Sequence, residues 1–171
     1  MSGLPGAEPP AAQTATAAVA LALGKHLTVA TAESLTAGMV AAALAGTPGA
    51  SGMLQGGVVA YQNSVKADVL GVSRTLLDAV GSVDGGVAAA MAEGARRACG
   101  ADIGISTTGV AGPEPHDGKK VGTVFIGVAA PEGAEAFEYA FSGDRQSIRE
   151  QACSSALARL LDTLEGLGYR A

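Results

Sequence analysis

The sequence predicts an α/β fold: a three-layer α/β/α sandwich on a mixed, mostly parallel sheet. Three observations point there. Short apolar or β-branched runs alternate with helical segments along most of the chain, the pattern of parallel strands joined by helical crossovers. Two strand-like runs near the C-terminus follow each other directly, so one strand is expected to run against the others. The chain is 48% hydrophobic but only 4% aromatic. Its core must therefore be built from Ala, Val, Leu and Ile, which suits helices lying close on a sheet of small residues.

Residues 1–13 contain three prolines and two glycines and cannot bury a face, so they are expected to form a disordered tail. Residues 14–171 then make a single domain. A first helix is expected over 14–26, with Val19, Leu21 and Leu23 as its larger apolar side chains and Gly24 near its stop. It leads into a strand over 27–32, Leu-Thr-Val-Ala-Thr-Ala, with Glu33 and Ser34 on the turn to a helix over 35–44. Gly46-Thr-Pro-Gly49 ends that helix. A strand over 57–61 stops at Gln62-Asn63-Ser64, ahead of a short helical run over 66–70. Ser73 can cap a helix over 74–80, and a longer helix over 86–99 lines one side with Val87, Met91, Ala95 and Ala98. A buried strand over 101–108 opens into the Gly/Pro-rich loop 109–118, which suits no regular element. Strands over 121–130 and 135–141 form a hairpin around Pro131-Glu-Gly133. The last helix starts near Asp144 or Arg145 and carries Ile148, Ala152, Ala156, Leu160 and Leu164 as a core stripe.

The charge of −5 and pI near 4.9 argue against a nucleic-acid partner, which needs a basic surface. Cys99 and Cys153, far apart in sequence, read as reduced, packed thiols. His26 and His116 are the only histidines and have no ligand-spaced partner, so neither a metal nor a cofactor is expected. The first residues lack a basic leader, and the Ala-rich run over 14–23 is too short to span a bilayer, so a cytoplasmic protein without a membrane partner is expected. Helices this rich in alanine are expected to pack on a second subunit, as a homo-oligomer.

In such a sheet, ligands gather where strands end and the next loops or helices begin. Ser34, Tyr61, Lys66 and the 108–118 loop all fall at such ends. Ser34 reads as the start of a helix, where free N–H groups and the positive dipole end suit an anion or an oxyanion. The plain alternative is a helix N-cap.

Five segments then match one pattern: Thr31-Ala-Glu-Ser34, Gly56-Gly-Val-Val-Ala-Tyr61-Gln-Asn63 with Lys66, Thr108-Gly-Val-Ala-Gly-Pro113, Val121-Gly-Thr-Val124 and Phe141-Ser-Gly-Asp-Arg145. Together they resemble the C-terminal domain of the competence- and damage-inducible protein CinA, the nicotinamide-nucleotide amidohydrolase (NMN deamidase) family. The resemblance implies hydrolysis of the carboxamide of nicotinamide mononucleotide to nicotinate mononucleotide and ammonia. It departs from the family in two places. Leu35 and Ala37 stand where the family usually has cysteine and glycine, and Pro113-Glu-Pro-His116 stands where the loop usually continues in glycines.

Metal-free amide hydrolysis needs a nucleophile, a base and oxyanion donors. The resemblance makes Ser34 the nucleophile, Lys66 the base and Tyr61 a third catalytic group that relays a proton or orients Ser34. A serine–lysine pair is a variant of the serine–histidine scheme, and a place for Lys66 in a first helical turn would lower its pKa. Thr36, Gly38, Asn63, Thr108, Gly109, Gly112 and Arg145 are the expected substrate-binding residues for a small mononucleotide, Arg145 taking the phosphate. Asn63 also reads as a helix cap, and the Thr108 hydroxyl reaches either substrate or loop backbone. The competing function is a non-catalytic nucleotide-binding or regulatory domain, which has no use for Ser34 with Lys66.

Overall fold

The computed structural model describes residues 10–168. Its elements are α1 (Ala11–Lys25), β1 (Val29–Glu33), α2 (Met39–Ala45), β2 (Leu54–Val59), α3 (Asn63–Asp68), α4 (Arg74–Val80), α5 (Gly85–Ala98), β3 (Ile103–Gly109), β4 (Thr123–Ala130), β5 (Gly133–Ala140) and α6 (Arg145–Gly166). The sheet order is β2-β1-β3-β4-β5. β1 pairs in parallel with β2 and β3, while β4 runs antiparallel to both β3 and β5. One reversed strand in a mostly parallel sheet is what the C-terminal hairpin predicts, and Pro131-Glu132 is its turn, closed by the Ala130–Gly133 pair.

The two faces follow from the two-residue period of a strand. Val29, Ile103, Ile105, Val124, Ile126 and Val128 pack with α1, α2 and α6. Ala30 and Ala32 face the other way, with Leu77 of α4 and Val87, Met91 and Ala95 of α5. The small residues allow close approach: a Cβ on Gly104 of β3 would lie 1.9 Å from the Ala92 carbonyl oxygen of α5, so only glycine fits there.

Several element boundaries differ from expectation. α1 begins at Ala11, with Pro10 O accepting from Gln13 N at 2.8 Å, so 11–13 belong to the fold. Residues 1–9 of the expected tail lie outside the described residues. The helix stops at His26, the expected end, in the left-handed conformation (φ 58°). Lys25, at this end, is buried and donates to the Leu164 and Leu167 carbonyls, tying α1 to the last turn of α6. That tertiary cap is invisible to a local reading. Among the described residues no helix is long and apolar enough to cross a membrane.

Candidate active site

β1, β2 and β3 all end on the same edge of the sheet. β1 connects to β2 through α2 on one face, and β2 leads to β3, on the other side of β1, through helices on the opposite face. The chain thus leaves the ends of β1 and β2 on opposite faces, opening the crevice where α/β proteins take ligands. A cavity of about 320 Å³ lies there, at the small end of ligand pockets. Ser34, Tyr61, Thr108, Gly109, Gly112 and Arg145 line it, together with Leu35, Ser82 and 113–116.

Ser34 sits at the expected strand end but does not start a helix. Residues 34–38 form a turn in which Ser34 N donates to Thr107 O at 3.0 Å and Ser34 O accepts from Ala37 N at 3.1 Å. Ala37 (φ 48°) and Gly38 (φ 99°) adopt left-handed conformations, and α2 begins only at Met39. The N–H groups at the start of α2 are not free for a ligand. The Glu33 carboxylate, 1% exposed, accepts from Val40 N at 2.8 Å, Ala41 N at 3.1 Å and the Thr36 hydroxyl at 2.6 Å. An internal anion therefore occupies the dipole site that the sequence reading offered to substrate.

Behind Ser34 stands Lys66, 1% exposed. Its Nζ lies 3.1 Å from Ser34 Oγ and donates to the carbonyls of Ala60 (2.9 Å) and Tyr61 (3.2 Å). Burial lowers its pKa from 10.5 to about 8, against the pull of the Asp117 carboxylate. The expected cause, a first-turn position, is not the operative one. Lys66 is the fourth residue of a six-residue helix, and its N–H is already bonded to Gln62 O. Desolvation of the ammonium does the work.

Tyr61 is half exposed and its hydroxyl accepts from Arg145 Nη2 at 2.9 Å, so the ring faces the arginine instead of bonding Ser34. The other Arg145 nitrogen donates to Gly112 O at 2.7 Å. The guanidinium thus bridges the β2 end and the glycine-rich loop across the cavity rim. Arg74 also begins a helix, but it pairs on the surface with Asp68 and lines no part of the cavity.

Three expected substrate residues lie outside the cavity. Thr36 is fully buried and spends its hydroxyl on Glu33 and on Thr107 Oγ1 at 2.7 Å. Gly38 serves the backbone reversal ahead of α2. Asn63 is exposed as the first residue of α3 and forms no part of the cavity wall. Thr108 does line the cavity, yet its hydroxyl donates to Ser82 O at 2.6 Å. Of the two family departures, Leu35 packs its side chain into the core beside α2 and α6, while 113–116 form a wall of the cavity.

Residues the sequence reading passed over complete the site. Asp117 accepts from Ser82 N at 2.8 Å and Ser82 Oγ at 2.9 Å, bonds that hold its carboxyl below the usual range and tie the glycine-rich loop to the entry of α5. Ser82 carries no sequence signal, since its role exists only once β3 lies beside α5. Arg149 of α6 donates through Nε to Leu35 O at 2.8 Å. Among the described residues, no His, Cys, Asp and Glu cluster suited to a metal occurs. Cys153 is buried, which raises its thiol to about 11.

The model of the CinA C-terminal domain family matches residues 11–164, nearly the whole described chain. This chain belongs to the CinA C-terminal domain family. A CinA-like protein of Frankia casuarinae is 46% identical over 147 residues, covering 86% of the chain and 34% of the relative. One from Anaeromyxobacter is 52% identical over 130 residues, 75% of the chain and 32% of the relative. The chain spans about a third of the length of these curated relatives. Solved CinA structures are similar throughout. A CinA superfamily protein from Klebsiella pneumoniae has a TM-score of 0.89 at 29% identity, covering 93% of this chain and all of that one. The competence/damage inducible protein from Agrobacterium tumefaciens has a TM-score of 0.86 at 33% identity, covering 96% and 99%. This CinA domain therefore shares its fold over its length with domains of that family.

Proposed function

We propose that the domain hydrolyses the carboxamide of nicotinamide mononucleotide to nicotinate mononucleotide and ammonia, with Ser34 as nucleophile and Lys66 as base. The observation that carries this reading is the hydrogen bond between Ser34, in the cavity wall, and the buried Lys66 behind it. A neutral amine has two N–H donors and one lone pair. The Ala60 and Tyr61 carbonyls take the two donors, which leaves the lone pair for the Ser34 hydroxyl. A pKa of about 8 keeps part of the lysine in this form near neutrality. Burial on that scale costs roughly 3 kcal/mol, a cost without purpose in a domain that only binds a nucleotide.

In the proposed reaction Ser34 Oγ attacks the carboxamide carbon as its proton passes to Lys66 Nζ. The N–H group of Leu35 follows the nucleophile in the cavity wall, has no protein acceptor among the described residues, and suits the oxyanion. Collapse of the tetrahedral intermediate breaks the C–N bond, and Lys66 returns the proton to the departing nitrogen, releasing ammonia. Water then attacks the acyl-serine, with Lys66 taking its proton and returning it to Ser34 Oγ as the carboxylic acid product forms and ionises. Arg145, at the rim, is the phosphate contact in this reading.

The test is ammonia release from nicotinamide mononucleotide by purified protein, with intact-mass detection of an acyl adduct on Ser34. Ser34→Ala should release no ammonia while still binding the nucleotide. Near-normal kcat in that variant would refute the assignment.

A further inference from the structure

Two of the arginines of α6 lie one helical turn apart, and they do different things. Arg145 reaches the cavity rim. Arg149, half buried, turns to the loop between β1 and α2. Its Nε donates to Leu35 O at 2.8 Å, one Nη reaches Thr36 O at 3.5 Å, and the other donates to Gln146 Oε1 at 3.1 Å. Leu35 and Thr36 are the two residues that follow Ser34.

The C=O and N–H of one trans peptide point in opposite directions. Holding the Leu35 carbonyl against α6 therefore turns the Thr36 N–H away from α6 and fixes the backbone of Leu35, which lines the cavity. The turn is not one that its own residues favour, because Ala37 sits at φ 48°, a conformation that a Cβ disfavours. Glu33 secures the helix after the turn, and Thr107 secures its first N–H. Arg149 is the side chain that holds the carbonyls between them.

We propose that Arg149 is a positioning residue for the chemistry at Ser34, fixing the 34–38 turn so that the Leu35 N–H faces the developing oxyanion. This rests on the hydrolase reading above. A fixed donor matters more in the transition state than in the ground state, so the effect falls on kcat.

The test compares wild type, Arg149→Met and Arg149→Lys with nicotinamide mononucleotide, and separately measures acylation of Ser34 by p-nitrophenyl acetate by intact mass. Arg149→Met should lose roughly 10–100-fold in kcat with KM changed by less than about threefold. Arg149→Lys should recover part of the loss through its single donor, as should added methylguanidinium with Arg149→Met. Acylation by the ester should slow in parallel. The proposal is overturned by a kcat for Arg149→Met within about twofold of wild type, by a loss confined to KM, or by a loss that tracks the folded fraction and is recovered by neither lysine nor methylguanidinium. If wild type releases no ammonia, the substrate reading fails on its own. Equal ester acylation in wild type and Arg149→Met would then overturn the positioning role independently.

Discussion

Replacing Lys66 by methionine removes the amine and keeps most of the aliphatic stem. The stability of the two proteins should then diverge with pH by a predictable amount. The folded-state pKa is about 8 against 10.5 for the free side chain, so the wild-type fold carries a penalty of roughly 3 kcal/mol wherever both states are protonated. That penalty is full below pH 8 and is relieved as pH rises from 8 to 10.5, because there the unfolded chain binds the extra proton. Wild type should therefore gain about 2 kcal/mol relative to Lys66→Met between roughly pH 7.5 and 10. At neutral pH the net change is small, because the variant also leaves the Ala60 and Tyr61 carbonyls without their donor, at about 1–3 kcal/mol each. Cys153 pulls the other way: its thiol, raised to about 11, makes the fold lose stability as pH climbs above 9, but in both proteins alike. The difference between urea unfolding curves at the two pH values isolates Lys66. In wild type, kcat/KM should rise with pH toward a midpoint near 8 as the amine becomes neutral. Parallel pH dependence of stability in the two proteins would refute the buried, depressed lysine and with it the base assignment.

Lys66→Arg should be as inactive as Lys66→Ala, because a guanidinium keeps its proton; turnover within a few-fold of wild type would mean that the residue acts only through charge. Arg145→Ala should lower kcat/KM for nicotinamide mononucleotide roughly 10–100-fold and for nicotinamide riboside, which lacks the phosphate, far less. Equal fractional losses on the two substrates would end the phosphate role. Tyr61→Phe should show a weaker version of the same bias, since its hydroxyl orients that guanidinium. Gly104→Ala should destabilise the fold by about 1–3 kcal/mol or more, because the new Cβ would meet the Ala92 carbonyl. An unchanged urea midpoint would mean that α5 lifts off β3 without cost.

The sequence by itself determined the layer architecture and the edge on which the cavity lies. Strand and helix periodicities and turn residues act over a few positions, so the alternation up to β3, the hairpin at Pro131-Glu132 and the strand-end placement of Ser34, Tyr61 and Thr108 could be read directly. The five matched segments added the family and singled out Lys66 and Arg145 as candidate site residues. Only the tertiary structure decided what each polar group faces. A period says that Glu33 and Ser34 follow a strand, but not that the Glu33 carboxylate takes the N–H groups of α2 and displaces any ligand from them. Alanine-rich composition suggests a helix from residue 35, whereas the reversal at Ala37 and Gly38, held in part by Arg149 more than 100 residues away, makes a turn instead. Thr36 and Asn63 resemble site residues in sequence, yet one is enclosed by Glu33 and Thr107 and the other looks into solvent. The depressed lysine shows the difference most plainly. By residue type alone a lysine reads as exposed, and the pKa of Lys66 falls because the chain packs around it and excludes the water that would stabilise its charge.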